Sequence, residues 1–365
     1  MNSSKTDSRA WKIRAISLFI ALSLAVTWYY QVKRWATGVP GNGTNMWSFD
    51  AMSKSQYHMP DLGVWRARIG GLWIAGKLYD SAVTNGTINV DDYKAQKIIL
   101  LSTPTQDANG SPQGTYLYID DYQHVFGLYH ACWLFLFFVV LIIFLENPLM
   151  VMFGTLAGMM YTLTPAAVYY AYAWDMPSML FFTLGFFLWR RKQYNWMLAT
   201  IFIGCPFKET TAVIAILYFF TDLPLKKRFI YFGVAAVLTF FQKMFIMEML
   251  YHIPTIHTQD YTLMANIKEF FSLKWNHFIF VNAGTLMVAV FLPARTRVQW
   301  GTKALIVVFW GCQALAGSFN EFRIMLETLP IALIYLADYL NLTTLPQAAE
   351  GASPLKPQPK NPKTR

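Results

Sequence analysis

What most constrains this chain is a succession of apolar runs, several of them close to the length of a membrane span and separated by short basic clusters. Val125 to Leu145 holds no Asp, Glu, Lys or Arg. A spanning helix needs about 20 mostly apolar residues, because lipid offers no partner for unpaired backbone groups. Composition points the same way: 14% of the 365 residues are charged and 55% are hydrophobic, where a soluble domain carries about 25% charge. An ordinary cytosolic enzyme and a disordered or collagen-like chain are excluded on that ground. A net charge of +10 would suggest nucleic acid in a soluble protein. Here the bases fall between apolar runs, so they read as topology signals, and no nucleic-acid partner is expected.

The first span is expected from Ile13 to about Tyr30, behind Lys5, Arg9, Lys12 and Arg14. A basic segment before an apolar stretch also opens a signal peptide, but this one ends in Trp28, Tyr29 and Tyr30 without a small-residue cleavage site, so it is expected to be retained. Residues 31–124 then form one long outer segment with no run long enough to cross. Within it, Leu62 to Leu78 mixes Trp, Leu and Ile with Arg66, Arg68 and Lys77, as an interfacial helix would; a short soluble helix is the alternative. Spans follow at Val125 to Leu145, at Leu149 to about Tyr172, and from Pro177 to Trp189 before Arg190, Arg191 and Lys192.

The next basic cluster is Lys226, Lys227 and Arg228. If both clusters face the cytoplasm, the stretch between them crosses an even number of times, yet Trp196 to Phe220 is long enough for one full span only. Two short helices broken at residues 205–210, Cys205 to Thr210, resolve the conflict. Polar backbone at that depth is tolerated only where protein or a water-filled cavity receives it, which makes the break a candidate site. Further spans are expected at Phe229 to Met249, Phe278 to Leu292, Ala304 to Ala316 and Ile324 to Leu340.

The expected fold is therefore an all-α polytopic membrane protein of about ten transmembrane helices with a long first extracytoplasmic loop. Residues 1–345 would form a single integral membrane domain, and residues 346–365 a disordered basic cytoplasmic tail. Both termini would lie inside. The short inner segments hold most of the 30 Lys and Arg residues, and the long loop translocates whatever its charge.

With this topology, the polar residues that are expensive in a membrane fall toward the outer side: Asp50 in the long loop, Asp175 at a span end, Lys208 and Glu209 at the break, Glu321 and Arg323 before the last span. Each has a structural alternative. Asp175 before Pro177 suits an N-cap, while Glu209 could pair with Lys208 and Glu321 with Arg323. Taken alone, Asp50 is an ordinary loop aspartate. His252, His257 and Asp260 share a loop at spacings of no standard metal motif. His58, His124, His130 and His277 read as interfacial or solvated. Tyr169, Tyr170, Tyr172 and Trp174 read as an aromatic belt. The three cysteines, Cys132, Cys205 and Cys312, have neither disulfide nor zinc spacing. No nucleotide-binding or serine-hydrolase motif is present. Sequons at Asn42, Asn85 and Asn109 would matter only in a eukaryotic lumen.

Four stretches together resemble the type C glycosyltransferase (GT-C) fold, the polytopic enzymes that use sugars carried on polyprenyl phosphate. They are the first span with a long outer loop bearing Asp50, the segment Tyr57 to Leu78 with WRARIGGLW, the pair WDMPSMLFFTLGFFLWRRK and GCPFKETTAVIAIL, and NEFRIMLETLPIALI. The resemblance implies an inverting transferase of the cell envelope that moves a sugar from a polyprenyl-phosphate donor to an extracytoplasmic acceptor. It implies Asp50 as general base, Lys208 and Arg323 as cations for the leaving phosphate, Glu209 and Glu321 as their holders, and Asp175 at the acceptor. No cofactor is expected, though a divalent metal is compatible with the chemistry; membrane lipids are expected partners, and a bacterial cytoplasmic membrane the location. Asp50 is followed by Ala51 where many members carry a second acid, so a non-catalytic scaffold or lipid-carrier binding subunit stays open. A secondary transporter is the third alternative, with no internal repeat in its favour.

Overall fold

The computed structural model describes residues 3–38, 70–71, 74, 77–78, 81, 84–86, 104–106, 112–114, 120–162, 174–246, 263–271, 277–316 and 326–342. Apart from the turns that join them, those residues are helical except for one short antiparallel ladder in the long loop, in which β1 (Pro104–Gln106) pairs with β2 (Pro112–Gly114). The helices are α1 (Ser3–Gly38), α2 (Asp120–Phe144), α3 (Leu149–Thr162), α4 (Asp175–Arg190) and α5 (Tyr194–Gly204), followed by a 3-10 helix (Glu209–Phe220). Then come α6 (Leu225–Met244), α7 (Leu263–Phe271), α8 (His277–Phe291), α9 (Arg297–Ala316) and α10 (Thr328–Tyr339).

The all-α class is as the sequence implies. Among the described residues two helices, over Trp11–Val32 and Gly127–Phe144, are long and apolar enough to cross a membrane; Leu149–Met160, Glu209–Phe220 and Thr328–Tyr339 are apolar but shorter. The expected ten spans are thus not confirmed. One reason is length: α4 has 16 residues, α8 15 and α10 12, against the roughly 20 that a hydrocarbon core requires; α6 and α9 have 20 each but carry charged residues at their starts. The continuations at residues 163–173 and 317–325, like the tail after 342, lie outside the described residues.

The core is built around α4. It buries Met179, Phe182, Phe186 and Phe187 completely and packs on α2, α5 and the 3-10 helix. The long first helix lies along α2, where Ala21, Trp28 and Val32 of α1 are buried. The 3-10 helix lies among α4, α5, α6 and α9. Glycines permit that approach. A Cβ on Gly204 would meet Thr211 Cγ2 at 2.7 Å and Phe181 Cβ at 2.8 Å, and one on Gly301 would meet the Trp189 ring at 2.6 Å. Small residues at such crossings let backbones close on one another.

α4 and α10 run parallel. Ser178 near the start of α4 reaches Glu327 just before α10, and Arg190 at the end of α4 pairs with Asp338 near the end of α10. The hairpin of α5 and the 3-10 helix closes at its open end, where the Tyr218 hydroxyl donates to the Tyr194 carbonyl at 2.9 Å. Its height follows from helix geometry. Twelve residues at the 3-10 rise of 2.0 Å extend ~24 Å, which equals the ~24 Å that the sixteen residues of α4 cover at 1.5 Å each. A 3-10 run of this length is uncommon, and here it lets a short segment return the full height of its neighbour.

The result is a bundle with two unlike ends. At one end Lys192 pairs with Asp222 at 2.7 Å, Arg297 donates to the Thr221 carbonyl at 2.9 Å and Arg191 to the Ile143 carbonyl at 3.2 Å. The basic clusters near residues 190, 226 and 295 therefore gather at one end of the bundle. The helix break lies at the other end. On the outside of the bundle, α6 exposes Phe229, Ile230, Val237, Phe240 and Phe241 and fully buries only Ala235. A contiguous apolar face of that kind is rare on a soluble monomer and suits a lipid surround.

Candidate functional site

The site forms where α5 stops. Gly204 accepts the backbone N–H groups of both Phe207 and Lys208, at 3.0 and 3.1 Å, which turns the chain back on itself. Phe207 then fills the space between α2 and α4, its ring centroid 5.4 Å from that of Trp133 and 5.0 Å from that of Phe181. Lys208 adopts an extended backbone before the 3-10 helix starts. With Phe207 pinned among aromatic rings, the lysine is directed into the protein at a depth where no water competes for it.

Three elements converge on Lys208. Its Nζ lies 2.8 Å from Glu327 Oε1 and 3.7 Å from Asp175 Oδ1, the latter an ion-pair contact beyond hydrogen-bond length. The Ser178 and Thr210 hydroxyls donate to the same Glu327 Oε1, at 2.8 and 2.9 Å. That oxygen thus receives three donors, while Glu327 Oε2 accepts no hydrogen bond. All three charged side chains are enclosed: 5% of the Lys208 side chain is exposed, 2% of Asp175 and none of Glu327. One lysine thus meets two carboxylates among the described residues. A buried pair costs much to desolvate and persists only with good geometry and added hydrogen bonds, which Ser178 and Thr210 supply.

The long loop reaches the same place. The Gly70 N–H donates to the Pro206 carbonyl at 3.0 Å, and a Cβ on Gly70 would come within 3.1 Å of the Phe207 ring. Ile74, one turn on, packs against the core. Within the segment expected to lie in the interface, Gly70 and Ile74 therefore rest on the protein at the break. Glycine is needed there because backbone must approach ring directly.

Of the residues that the sequence singles out, Asp175 and Lys208 come together as expected of a site, and Glu209 opens the 3-10 helix beside them. Asp50, Glu321 and Arg323 lie outside the described residues, as do Tyr169, Tyr170, Tyr172, His252, His257 and Asp260. Several expectations change. Asp175 is no N-cap: α4 begins at Asp175 itself, Trp174 holds the cap position, and no side chain caps the helix. The carboxylates that meet Lys208 are Asp175 and Glu327 rather than Glu209, because Glu209 is already turned into the 3-10 helix while Asp175 and Glu327 face the break. His130 is completely buried in α2 and Trp174 nearly so, where an interfacial place was expected for both, since each packs on the helix contacts of the core rather than on its rim. Glu327, Ser178 and Thr210 were not foreseen. The signal for Glu327 was available, as an acid set directly before the apolar run of α10 is expensive in a membrane and calls for a cation.

Chemically, the arrangement ties rather than grips. A phosphate at Lys208 Nζ would compete with Glu327 and Asp175 for the same cation. Among the described residues no three His, Cys, Asp or Glu side chains are grouped as metal ligands would be. No family model matches the chain, and neither a curated protein nor a solved structure does.

Proposed function

We propose that the chain is an integral membrane glycosyltransferase of the type C kind, which moves a sugar from polyprenyl phosphate to an acceptor outside the cytoplasm. The observation that supports this reading is the buried Lys208 tie, which holds the broken hairpin, α4 and the segment before α10 at one point, with the long loop resting on the same break. In this reading about ten segments cross the membrane. The basic end lies in the cytoplasm, the break faces the outer leaflet, and the membrane is the bacterial cytoplasmic one.

The roles follow from charge. Asp50 takes the proton of an acceptor hydroxyl, the acceptor oxygen attacks the anomeric carbon, and the bond from that carbon to the lipid phosphate breaks with inversion. The departing phosphate needs a cation that is not already neutralised. Lys208 is held by two carboxylates, so the task falls to Arg323, four residues before Glu327, and Arg can bind phosphate bidentately. Lys208 is then a positioning residue: by fixing Glu327 it fixes the segment that carries Glu321 and Arg323. Asp175 contributes to the same tie, and Glu209 opens the helix that returns from it.

The test is sugar transfer by the purified protein from a labelled polyprenyl-phosphate sugar, with donor binding measured separately. Asp50→Asn is expected to abolish transfer and leave donor binding intact, and Arg323→Gln to weaken donor binding. The closure of Lys208 upon two carboxylates also favours a second reading, a scaffold or lipid-carrier binding subunit with the same fold. That reading requires no transfer by the wild type and no effect of Asp50→Asn on donor binding.

A further inference from the structure

The first turn of α6 breaks the usual rule of helix electrostatics. Unpaired N–H groups give a helix N-terminus positive character, which favours acids there. Yet α6 opens with Leu225, Lys226, Lys227 and Arg228, has no acid in its first turn, and carries no side-chain cap at Pro224. Arg228 is accounted for: its guanidinium donates to the Leu223 carbonyl at 2.7 Å and to the Phe219 carbonyl at 3.1 Å, satisfying the end of the 3-10 helix. Lys226 and Lys227 are exposed and make no ion pair among the described residues. Like charges thus add to a positive helix end, and no acid among the described residues pairs with them.

The surface just beyond supplies a second observation. Leu225, Phe229 and Ile230 are 63, 57 and 52% exposed, and they begin the apolar face that continues through Val237 to Phe240 and Phe241. Trp196, 68% exposed at the start of the adjacent α5, supplies the amphipathic ring found at headgroup depth. Two free cations at an uncapped helix start, joined directly to an apolar strip along the same helix, match one ligand in shape and charge: a phosphodiester above acyl chains.

We propose that the first turn of α6 is a binding site for an anionic phospholipid. Lys226, Lys227 and the first-turn N–H groups hold the phosphate, and the acyl chains lie along Phe229, Ile230 and Val237. The proposal rests on a lipid surround for α6 and is independent of the transferase reading.

The experiment uses the full chain in a neutral detergent, titrated with phosphatidylglycerol, phosphatidylcholine or inorganic phosphate, with retained lipid counted by native mass spectrometry. Phosphatidylglycerol is expected to bind in preference to phosphatidylcholine. Lys226→Gln with Lys227→Gln is expected to weaken it by roughly fivefold for each cation removed. Lys226→Arg with Lys227→Arg should retain it, as should Lys192→Gln, whose lysine is already paired with Asp222. A thermal midpoint common to all variants separates lost binding from lost folding. Equal retention of the two lipids, an undiminished preference in the double glutamine variant, or displacement of the lipid by inorganic phosphate would each overturn the assignment.

Discussion

Removing the charge of Lys208 should damage the protein more than removing that of Glu327, and the two losses should not add. In Lys208→Met, two enclosed carboxylates lose their cation, and Glu327 Oε1 keeps only the Ser178 and Thr210 donors. Breaking a buried pair from one side costs about 3–5 kcal/mol. The two side chains that would be stranded are 2% and 0% exposed, so little solvent screening reduces the cost. Glu327→Gln is milder. The amide oxygen can still accept from Lys208, Ser178 and Thr210, and what is lost is the charge assistance of those bonds, about 1–2 kcal/mol. Combining the two removes the Glu327 carboxylate, the nearer of the two that Lys208→Met would strand. The double variant should therefore be about 2 kcal/mol more stable than the sum of the single losses predicts, a coupling of the size that residues in one network show. Denaturant unfolding in mixed micelles measures all three variants. Additivity within about 0.5 kcal/mol, or a Glu327→Gln loss as large as that of Lys208→Met, would refute the buried tie.

Close packing and surface electrostatics supply two more tests. Gly204→Ala places a methyl 2.7 Å from Thr211 and 2.8 Å from Phe181, an overpacking worth about 1–3 kcal/mol; Gly233→Ala, with open space around it, should be neutral or stabilising because alanine is the better helix former, and thermal midpoints compare the two. Hydrogen bonds from Lys192 and Tyr194 hold the Asp222 carboxyl below the usual carboxylate range. Its folded pKa lies below its unfolded one, so the stabilisation is full above the ordinary carboxylate pKa of about 3.9 and is lost as pH falls through the folded value. Wild type should lose more stability than Asp222→Asn on acidification through that window, and only slightly more, because half of that side chain is exposed.

What could be read from the sequence was the helical class and the place of the break, and what could not was geometry. Counting crossings between the basic clusters at 190–192 and 226–228 located the break at Cys205 to Thr210, and the described chain turns there. Period and composition do not distinguish an α-helix from a 3-10 helix in an apolar run, so the element that lets the hairpin regain its height was not legible. Pro177 suits a first turn, which makes Asp175 a candidate cap as well as a candidate site residue; the helix starts two residues before that proline, which still lies in the first turn. Glu327 escaped notice because Glu321 and Arg323, six and four residues earlier, offered a pair of their own. Which of several acids a buried lysine meets depends on helix directions, and those follow from packing that no single segment encodes.

The central claim is that the hairpin of α5 and the 3-10 helix enters and leaves the membrane on one side, carrying Lys208 toward the other. Single cysteines at Gln193, Pro224 and Asn85, in a background with Cys132, Cys205 and Cys312 replaced, test it by labelling with an impermeant maleimide in intact bacterial cells and in inverted vesicles. The account predicts that Gln193→Cys and Pro224→Cys react only in inverted vesicles and Asn85→Cys only in intact cells. Labelling of Gln193→Cys and Pro224→Cys from opposite sides would mean a single crossing between them and would contradict the account.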